Sequence, residues 1–282
     1  MRLGYFLSYA LFLPSTVAFT GLYPNFLQPK PSHVEDHTID TKYFHEPGGS
    51  NELEHYDIRF FISPLSSHER LRALKHLIQS YLTVFNDRKI ETWIAHGTLL
   101  GWWWNGKIMP WDWDLDTQVT VTTLNWLAEN LNMSTHRHYM IDDEGNSMGG
   151  NFLLDVNPNH IDRLRGSGNN VIDARWIDVH SGLYIDITGV GDTEDDLDSG
   201  LLGCKDFHRY HSHELYPLRT SIFEGVIAKV PFMFESILIK EYSAKALSNT
   251  VYAGHRWDPE KQAWIKQRAK TEEITSNSTE QA

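Results

Sequence analysis

Apolar residues recur at three- and four-residue spacing in several parts of the chain, and this spacing predicts amphipathic helices. The clearest case follows residues 66–69, Ser-Ser-His-Glu, which resemble a helix start. The apolar face of this predicted helix consists of Leu71, Leu74, Ile78, Leu82 and Phe85. The same spacing predicts helices over residues 122–132 and 234–247. Each helix would lay its apolar face on a sheet.

Short runs of β-branched and aromatic residues between turn signals predict strands. Residues 135–156 form short strands around a polar turn at 142–146. Residues 176–179 and 184–187 form a hairpin across His-Ser-Gly, and strand-like pieces over 217–231 are separated by the Phe-Glu-Gly turn at 223–225. The chain is therefore expected to combine helices with a sheet and added hairpins.

The segment from residue 91 to residue 119 is the most distinctive part of the pattern. A short strand over 91–95 is expected to end at His96-Gly97-Thr98, where Gly97 can adopt the geometry of a sharp turn and admit a ligand closely. A short helix over 99–103 would follow, and amide groups at its start would point toward an anion such as phosphate. Asn105-Gly106 is a hairpin-type turn signal, after which residues 107–119 are expected to return as a strand.

Within that returning strand, residues 111–119 are expected to be extended, so alternate side chains share a face. One face would carry Asp112, Asp114 and Asp116. The other would carry Trp111, Trp113 and Leu115. Same-face carboxylates about 6.6 Å apart can share an ion, and their repulsion raises pKa values when nothing neutralises it. Hard oxygen ligands suit Mg²⁺ or Mn²⁺. The alternative is a solvated edge strand whose charges oppose aggregation.

Further candidate residues lie outside this segment. Asp186 stands between Ile185 and Ile187, where an unpaired acid is costly, so it is the candidate for an additional carboxylate at the metal site, with Asp178 second. Lys107 is the nearest basic residue, and more distant candidates are Arg163, Arg165 and Arg175. A zinc site is conceivable at a group formed by Cys204, His208, His211 and His213. Their spacing matches no standard closed zinc motif, which favours structural or surface roles.

Composition narrows the functional classes. The 282 residues are 41% apolar and include ten tryptophans, enough for a substantial core. The formal charge of −12 argues against non-specific binding to nucleic acid, whose footprint is a basic stripe. One cysteine allows no intramolecular disulfide.

The two ends of the chain differ from its centre. Arg2 precedes an apolar run over 3–13 and then Thr-Val-Ala, which predicts a signal peptide over 1–18 and a location in the secretory pathway lumen, Golgi or ER, or outside the cell. An uncleaved anchor or a buried first helix is the alternative. An extended N-terminal arm over 19–59, a catalytic domain over 60–267 and a disordered tail over 268–282 complete the predicted organisation.

Two stretches together resemble a known family. Residues 97–101 read Gly-Thr-Leu-Leu-Gly and residues 108–116 read Ile-Met-Pro-Trp-Asp-Trp-Asp-Leu-Asp, which resembles the hallmark of the LicD family and its fukutin-related members. The similarity extends over roughly residues 60–257. The tryptophan-rich hallmark is more similar to a fungal branch associated with mannosylphosphate addition to cell-wall glycans. Bacterial members tend to have Asp where this chain has Trp113, and Arg before the hallmark strand, so the donor pocket is expected to differ.

The resemblance implies an α+β fold, a nucleotidyltransferase-like mixed β-sheet flanked by helices, with β-hairpin insertions. It implies a three-part site made of a Gly-Thr turn, the D-x-D strand and a later acid, Asp186. The implied catalytic residues are Asp112, Asp114, Asp116 and Asp186, of which the first three would hold Mg²⁺ or Mn²⁺. The implied substrate-binding residues are Gly97, Thr98, Lys107 and Trp111.

The implied reaction is metal-dependent transfer of a sugar phosphate onto a glycan hydroxyl, in this branch mannose 1-phosphate from GDP-mannose. The expected partners are a nucleotide-diphosphate-linked donor, a glycan or glycoprotein acceptor and other luminal glycosylation enzymes, and not nucleic acid. Two other readings stay open: a metal-dependent glycosyltransferase, and a non-catalytic glycan-binding or regulatory partner of a mannosylphosphate transferase. A polynucleotide-directed nucleotidyltransferase is disfavoured by the acidic charge and the signal peptide.

Overall fold

The described part of the chain contains most of the predicted catalytic domain. A computed structural model describes residues 41–142, 145–165, 168–192 and 200–267. The predicted signal peptide, residues 19–40 of the predicted arm, the centre of the predicted turn at 142–146 and the predicted tail lie outside the described residues. Within those ranges, no helix combines the length and the apolar character that a bilayer crossing requires.

Three of the helices, α1, α3 and α5, form where the apolar periodicity predicts them. Their bounds are α1 Ser67–Asp87, α2 His96–Asn105, α3 Val121–Asn130, α4 Ser212–Leu215 and α5 Phe234–Tyr242, the last followed by a 3-10 turn over Ala244–Leu247. Helix α1 begins at a capping box, in which the Ser66 hydroxyl accepts from the Glu69 amide and the Glu69 carboxylate accepts from the Ser66 amide. The three helices that the apolar spacing predicted are confirmed in outline as α1, α3 and α5.

Thirteen strands lie in the described ranges. They are β1 Trp93–Ile94, β2 Asp116–Thr120, β3 Ser134–Ile141, β4 Ser147–Val156, β5 Ala174–Asp178, β6 Tyr184–Asp192, β7 Leu201–Gly203, β8 Arg209–His211, β9 Arg219–Phe223, β10 Val226–Val230, β11 Val251–Tyr252, β12 His255–Asp258 and β13 Ala263–Lys266.

The main sheet has the order β1-β2-β6-β5-β4-β3, and β7 and β8 continue it from the far end of β6. All of its pairs are antiparallel except β2 with β6, which run parallel with Asp116 opposite Asp186. Strands β9 and β10 form a separate hairpin, and β11 to β13 form a three-stranded sheet. The predicted α+β fold, a mixed sheet with flanking helices and added hairpins, is confirmed.

The core lies between α1 and the main sheet. Tyr81 and Phe85 of α1 pack edge-on against the buried Trp176 ring of β5, and the Trp176 Nε1 donates to Ser80 Oγ at 2.9 Å. Tyr56, from the predicted arm, is fully buried in the same cluster. The described end of the arm is therefore packed against the sheet, although the predicted domain boundary at residue 60 stays a prediction.

The prediction of a strand over residues 107–119 is wrong for its first nine residues. The strand begins only at Asp116. Pro110 interrupts the predicted strand, because it occupies the second position of a turn that is closed by a hydrogen bond from the Asp112 amide to the Met109 carbonyl at 3.0 Å. Gly106 is not a hairpin residue either. It ends α2 in the left-handed conformation, with φ +72°.

The turn at residues 96–98 also differs from its prediction. Helix α2 begins at His96 instead of Leu99, so Gly97 and Thr98 lie in its first turn. The left-handed backbone belongs to His96, at φ +49°, and not to Gly97. The short strand predicted over residues 91–95 contains only Trp93 and Ile94.

We predict that Gly101→Ala destabilises the protein by about 1–3 kcal/mol, because its Cβ would lie 2.5 Å from the Lys107 carbonyl oxygen, a backbone atom that cannot move alone. Gly97→Ala is the matched control in the same helix, since its nearest neighbour, Asp112 Oδ2, would be 3.7 Å away. Urea unfolding of both variants measures the difference. Equal stabilities would contradict the close packing of the 107–115 loop on α2.

Candidate functional site

Three aspartates border one cavity beside the start of α2. The cavity has a volume of about 430 Å³ and is lined by Asp112, Asp114 and Asp116 together with Gly97. The loop over residues 107–115 partly keeps the side-chain alternation that a strand would have. Leu115 is buried in the core, whereas the acids line the cavity. Trp113 stacks on Arg70, whose guanidinium carbon lies 3.5 Å from the ring centre.

The start of α2 is fastened to the start of β2. Thr98 Oγ1 accepts from the Asp116 amide at 2.8 Å, and the Ala95 amide donates to the Asp116 carbonyl at 3.1 Å. Thr98 is buried, and its hydrogen bond with the Asp116 amide holds the backbone of Asp116 in place. Gly97 lies against the Asp112 carboxylate, where the absence of a side chain leaves the cavity open.

Asp186 reaches the same region from the neighbouring strand. Its position opposite Asp116 in the β2–β6 register brings the two predicted acids together. Arg175 Nε donates to Asp186 Oδ1 at 2.8 Å, and its Nη2 donates to Glu46 Oε1 at 2.6 Å. Asp114 and Asp186 also line a second cavity of about 490 Å³, so Asp114 borders both cavities.

Burial and neighbouring carboxylates raise the pKa values of three of the acids. Burial and the charge of Asp114 raise the pKa of Asp112 to about 7, although Arg70 opposes the rise. Burial, followed by the charge of Asp114, raises the pKa of Asp116 well above its ordinary range. Burial also raises the pKa of Asp186 despite the opposing charge of Arg175. This clustering of negative charge favours a bound cation.

The donor chemistry fits the predicted Mg²⁺ or Mn²⁺, since both ions take carboxylate oxygens and fill other positions with water or phosphate. In the described ranges the three aspartates do not bring one oxygen each within 4.8 Å of one another. Among the residues that the structure describes, the one group of three potential ligands that meets this distance is His96, His208 and Glu241. The assignment of the aspartates as metal ligands stays a prediction.

Aromatic side chains form one wall of the first cavity. The predicted Trp111 lies there, with Tyr252 and Trp264 of the three-stranded sheet at 5.2 and 5.0 Å between ring centres. Trp104 packs behind them, 4.7 Å from Trp264. Trp264 lies near the end of the chain in sequence. It reaches the aspartate cavity because the three-stranded sheet packs against α2.

Several sequence candidates lie elsewhere. Lys107 lines a separate groove with Glu224. Asp178 is the last residue of β5, and its carboxylate accepts from the hydroxyl of Ser181 in the β5–β6 turn at 2.6 Å. Arg163 pairs with Asp173. The aspartate cavity instead contains Lys245 and Tyr242, neither of which was predicted to be a site residue.

The Cys204 and histidine group does not assemble as one site. His211 and His213 stack on each other at 5.4 Å between ring centres, whereas Cys204 Sγ lies 3.7 Å from His208 Nδ1. His208 instead stacks against His96 at 4.1 Å.

The mixed sheet carries Asp116 at the start of one strand and Asp186 opposite it on the neighbouring parallel strand, beside the start of α2. This arrangement is that of a nucleotidyltransferase-like protein. Residues 89–232 match the family described as LicD/FKTN/FKRP, nucleotidyltransferase domain, and the chain belongs to that family.

Two curated yeast proteins are similar to part of the chain. Mannosyltransferase regulator 4 of Saccharomyces cerevisiae is 35% identical over 162 residues, which are 55% of this chain and 13% of that protein. Mannosyltransferase regulator 14 of the same yeast is 35% identical over 167 residues, 56% of this chain and 17% of that protein. The chain thus spans less than a fifth of either relative. Both are fungal, in agreement with the resemblance to the fungal branch.

We predict that Asp112→Asn reduces the pH dependence of stability in protein kept free of divalent cations. The folded-state pKa, about 7, exceeds the unfolded value of about 3.9, so the folded state holds the extra proton between these values. Stability conferred by that proton is lost as pH rises from about 4 to 7. The measurement is the difference in thermal midpoint between pH 5 and pH 8 in EDTA.

This difference should be several degrees smaller in Asp112→Asn than in the unmodified protein. Asp87→Asn makes the same chemical change at an exposed position at the end of α1 and serves as the control. If the difference in thermal midpoint between pH 5 and pH 8 were the same in Asp112→Asn as in the unmodified protein, the pKa of Asp112 would not be raised in the folded state.

Proposed function

We propose that the chain is a metal-dependent phosphotransferase that moves a sugar phosphate from a nucleotide-diphosphate-linked donor to a glycan hydroxyl. The observation that carries the proposal is the position of Asp114 between two cavities, one aromatic and one polar, with Asp116 and Asp186 side by side on adjacent strands. Two substrates could then meet at one group of carboxylates.

The aromatic cavity suits the donor. Trp111 and Tyr252 offer ring faces on which a base or a sugar can stack, and Lys245 offers a positive charge for a diphosphate. The first turn of α2 has no side-chain cap at Ala95 and borders the cavity at Gly97, so its amides are available to a phosphate oxygen of the donor. Mannose 1-phosphate carried by GDP-mannose is the donor group that fits the fungal branch.

The aspartates would hold the divalent cation. Asp114 and Asp116 are the proposed ligands, with Asp112 contributing directly or through water, and these oxygens suit Mg²⁺ or Mn²⁺. When bound, the cation would neutralise charge on the phosphate oxygens of the donor. The residues of the chain would orient the donor and exclude water from the reacting group.

The second cavity suits the acceptor. It is lined by Asp186, Arg175 and Tyr184, and it opens beside Asp114. In the proposed step the acceptor hydroxyl oxygen bonds to the sugar-linked phosphorus, the bond to the bridging oxygen breaks and a nucleoside monophosphate leaves. Asp186 takes the hydroxyl proton, and its raised pKa favours this role. Arg175 positions the carboxylate through its bond to Oδ1.

A second candidate function is regulatory. The two yeast relatives are named as regulators of a mannosyltransferase, and this favours a non-catalytic chain that binds glycans or controls a separate transferase. Either function fits a location in the secretory pathway, which the N-terminal sequence pattern supports.

The test is a screen of the purified chain with Mg²⁺ or Mn²⁺, nucleotide-diphosphate sugars and mannoside acceptors. We predict release of nucleoside monophosphate, loss of at least about 99% of it in Asp116→Asn, and retention in Asp178→Asn, whose carboxylate accepts from Ser181 in the hairpin turn. Release of nucleoside diphosphate would instead identify a glycosyltransferase. Glycan binding without any turnover would favour the regulatory candidate.

We further predict that Tyr252→Ala raises the KM for the donor about tenfold, because one stacking face is lost from the cavity. Tyr252 is 58% exposed, so the fold should tolerate the change. Tyr139→Ala is a matched control, since Tyr139 is 57% exposed and lies on β3. Equal KM values for both variants would place the donor elsewhere.

A further inference from the structure

Three side chains with metal-binding chemistry converge beside the aspartates. His96 comes from the start of α2, His208 from the loop between β7 and β8, and Glu241 from the last turn of α5. One ligand atom of each lies within 4.8 Å of the other two. His96 Nδ1 and Glu241 Oε2 are 3.0 Å apart, and the two imidazole rings are 4.1 Å apart between centres.

Each of the three side chains is held by further contacts. His96 has a left-handed backbone, an unfavourable conformation for a residue with a side chain, and it places the ring against Glu241. Tyr210 donates its hydroxyl hydrogen to the other Glu241 oxygen at 3.4 Å. Cys204 Sγ lies 3.7 Å from His208 Nδ1. Outer contacts of this kind orient ligands in metal sites.

An ion pair accounts for only two of the three side chains. His96 Nδ1 lies 3.0 Å from Glu241 Oε2, so these two groups can pair without a metal. His208 stacks on the His96 ring and also places a ligand atom within 4.8 Å of both groups, a convergence that the pair does not require.

We propose that His96, His208 and Glu241 bind a transition-metal ion, Zn²⁺ above all, at a centre distinct from the carboxylate site. Two imidazole nitrogens and one carboxylate oxygen suit Zn²⁺, whereas Mg²⁺ prefers oxygen ligands alone. Three protein ligands leave one position open, and the cluster borders a cavity of about 500 Å³ where water or an anionic oxygen completes the coordination.

This centre adjoins the carboxylate site through one residue. Asp116 lines both the aspartate cavity and the cavity of the histidine cluster. A metal ion at the cluster would place positive charge beside Asp116 and favour its ionised form. The proposal does not depend on the phosphotransferase function, because metal binding can be measured without substrate.

The experiment uses the full chain purified without a polyhistidine tag and stripped with chelator. Zn²⁺ titration by calorimetry and Co²⁺ titration by visible absorption give stoichiometry, affinity and ligand geometry. We expect one equivalent of Zn²⁺ and the intense d–d bands of four-coordinate Co²⁺, with affinity lowered at least about tenfold in His208→Ala. His213→Ala, an exposed histidine outside the cluster, should bind like the unmodified protein.

Asp112→Asn should also retain Zn²⁺ binding, which separates this centre from the aspartates, and millimolar Mg²⁺ should not displace the Zn²⁺. His208→Asn provides a smaller change if His208→Ala does not fold. Zn²⁺ affinity unchanged in the folded His208 variant, or weaker than about 100 μM in the unmodified chain, would overturn the proposal.

Discussion

The parallel pairing of β2 with β6 places two partly buried carboxylates, Asp116 and Asp186, on neighbouring strands. Asp112 and Asp114 add two more acids to the same region, and burial combined with mutual repulsion makes their negative charge costly. Arg175 offsets part of this charge at Asp186, and His96 opposes it at Asp116. The remaining negative charge favours a divalent cation near these carboxylates.

The tryptophans have three different roles. Trp93 and Trp176 are fully buried and belong to the core, whereas Trp113 stacks on the buried guanidinium of Arg70. Trp111 and Trp264 face the aspartate cavity. Tryptophans therefore fill the core, stack on a cation and line the cavity. For this reason the number of tryptophans in the sequence could not identify which of them form a stacking surface for a ligand.

Local sequence signals predicted the elements that depend on local chemistry. The Ser66–Glu69 capping box marks the start of α1, and the hairpin across residues 180–182 forms between β5 and β6. The meeting of Asp116 with Asp186 was also predictable, because a buried acid on an apolar strand needs a partner or an ion. The absence of a strand over residues 107–115 was not predictable from the alternating pattern, which conceals the turn with Pro110 at its second position.

Other features arise from contacts between distant parts of the chain. Tyr252 and Trp264 reach the cavity only because the C-terminal sheet packs on α2, and Glu241 meets His96 across 145 residues of sequence. Neither contact leaves a local pattern. Lys107 shows the converse, since its closeness to the aspartates in sequence does not bring its side chain to their cavity.

Phosphorus-31 NMR tests the proposed phosphotransfer directly, in a reaction containing the purified chain, a divalent cation, a nucleotide-diphosphate sugar and a glycan acceptor. The proposed transfer predicts a new phosphodiester signal on the glycan that grows in step with free nucleoside monophosphate. Nucleoside diphosphate without a phosphodiester, or an unchanged donor spectrum, would contradict it.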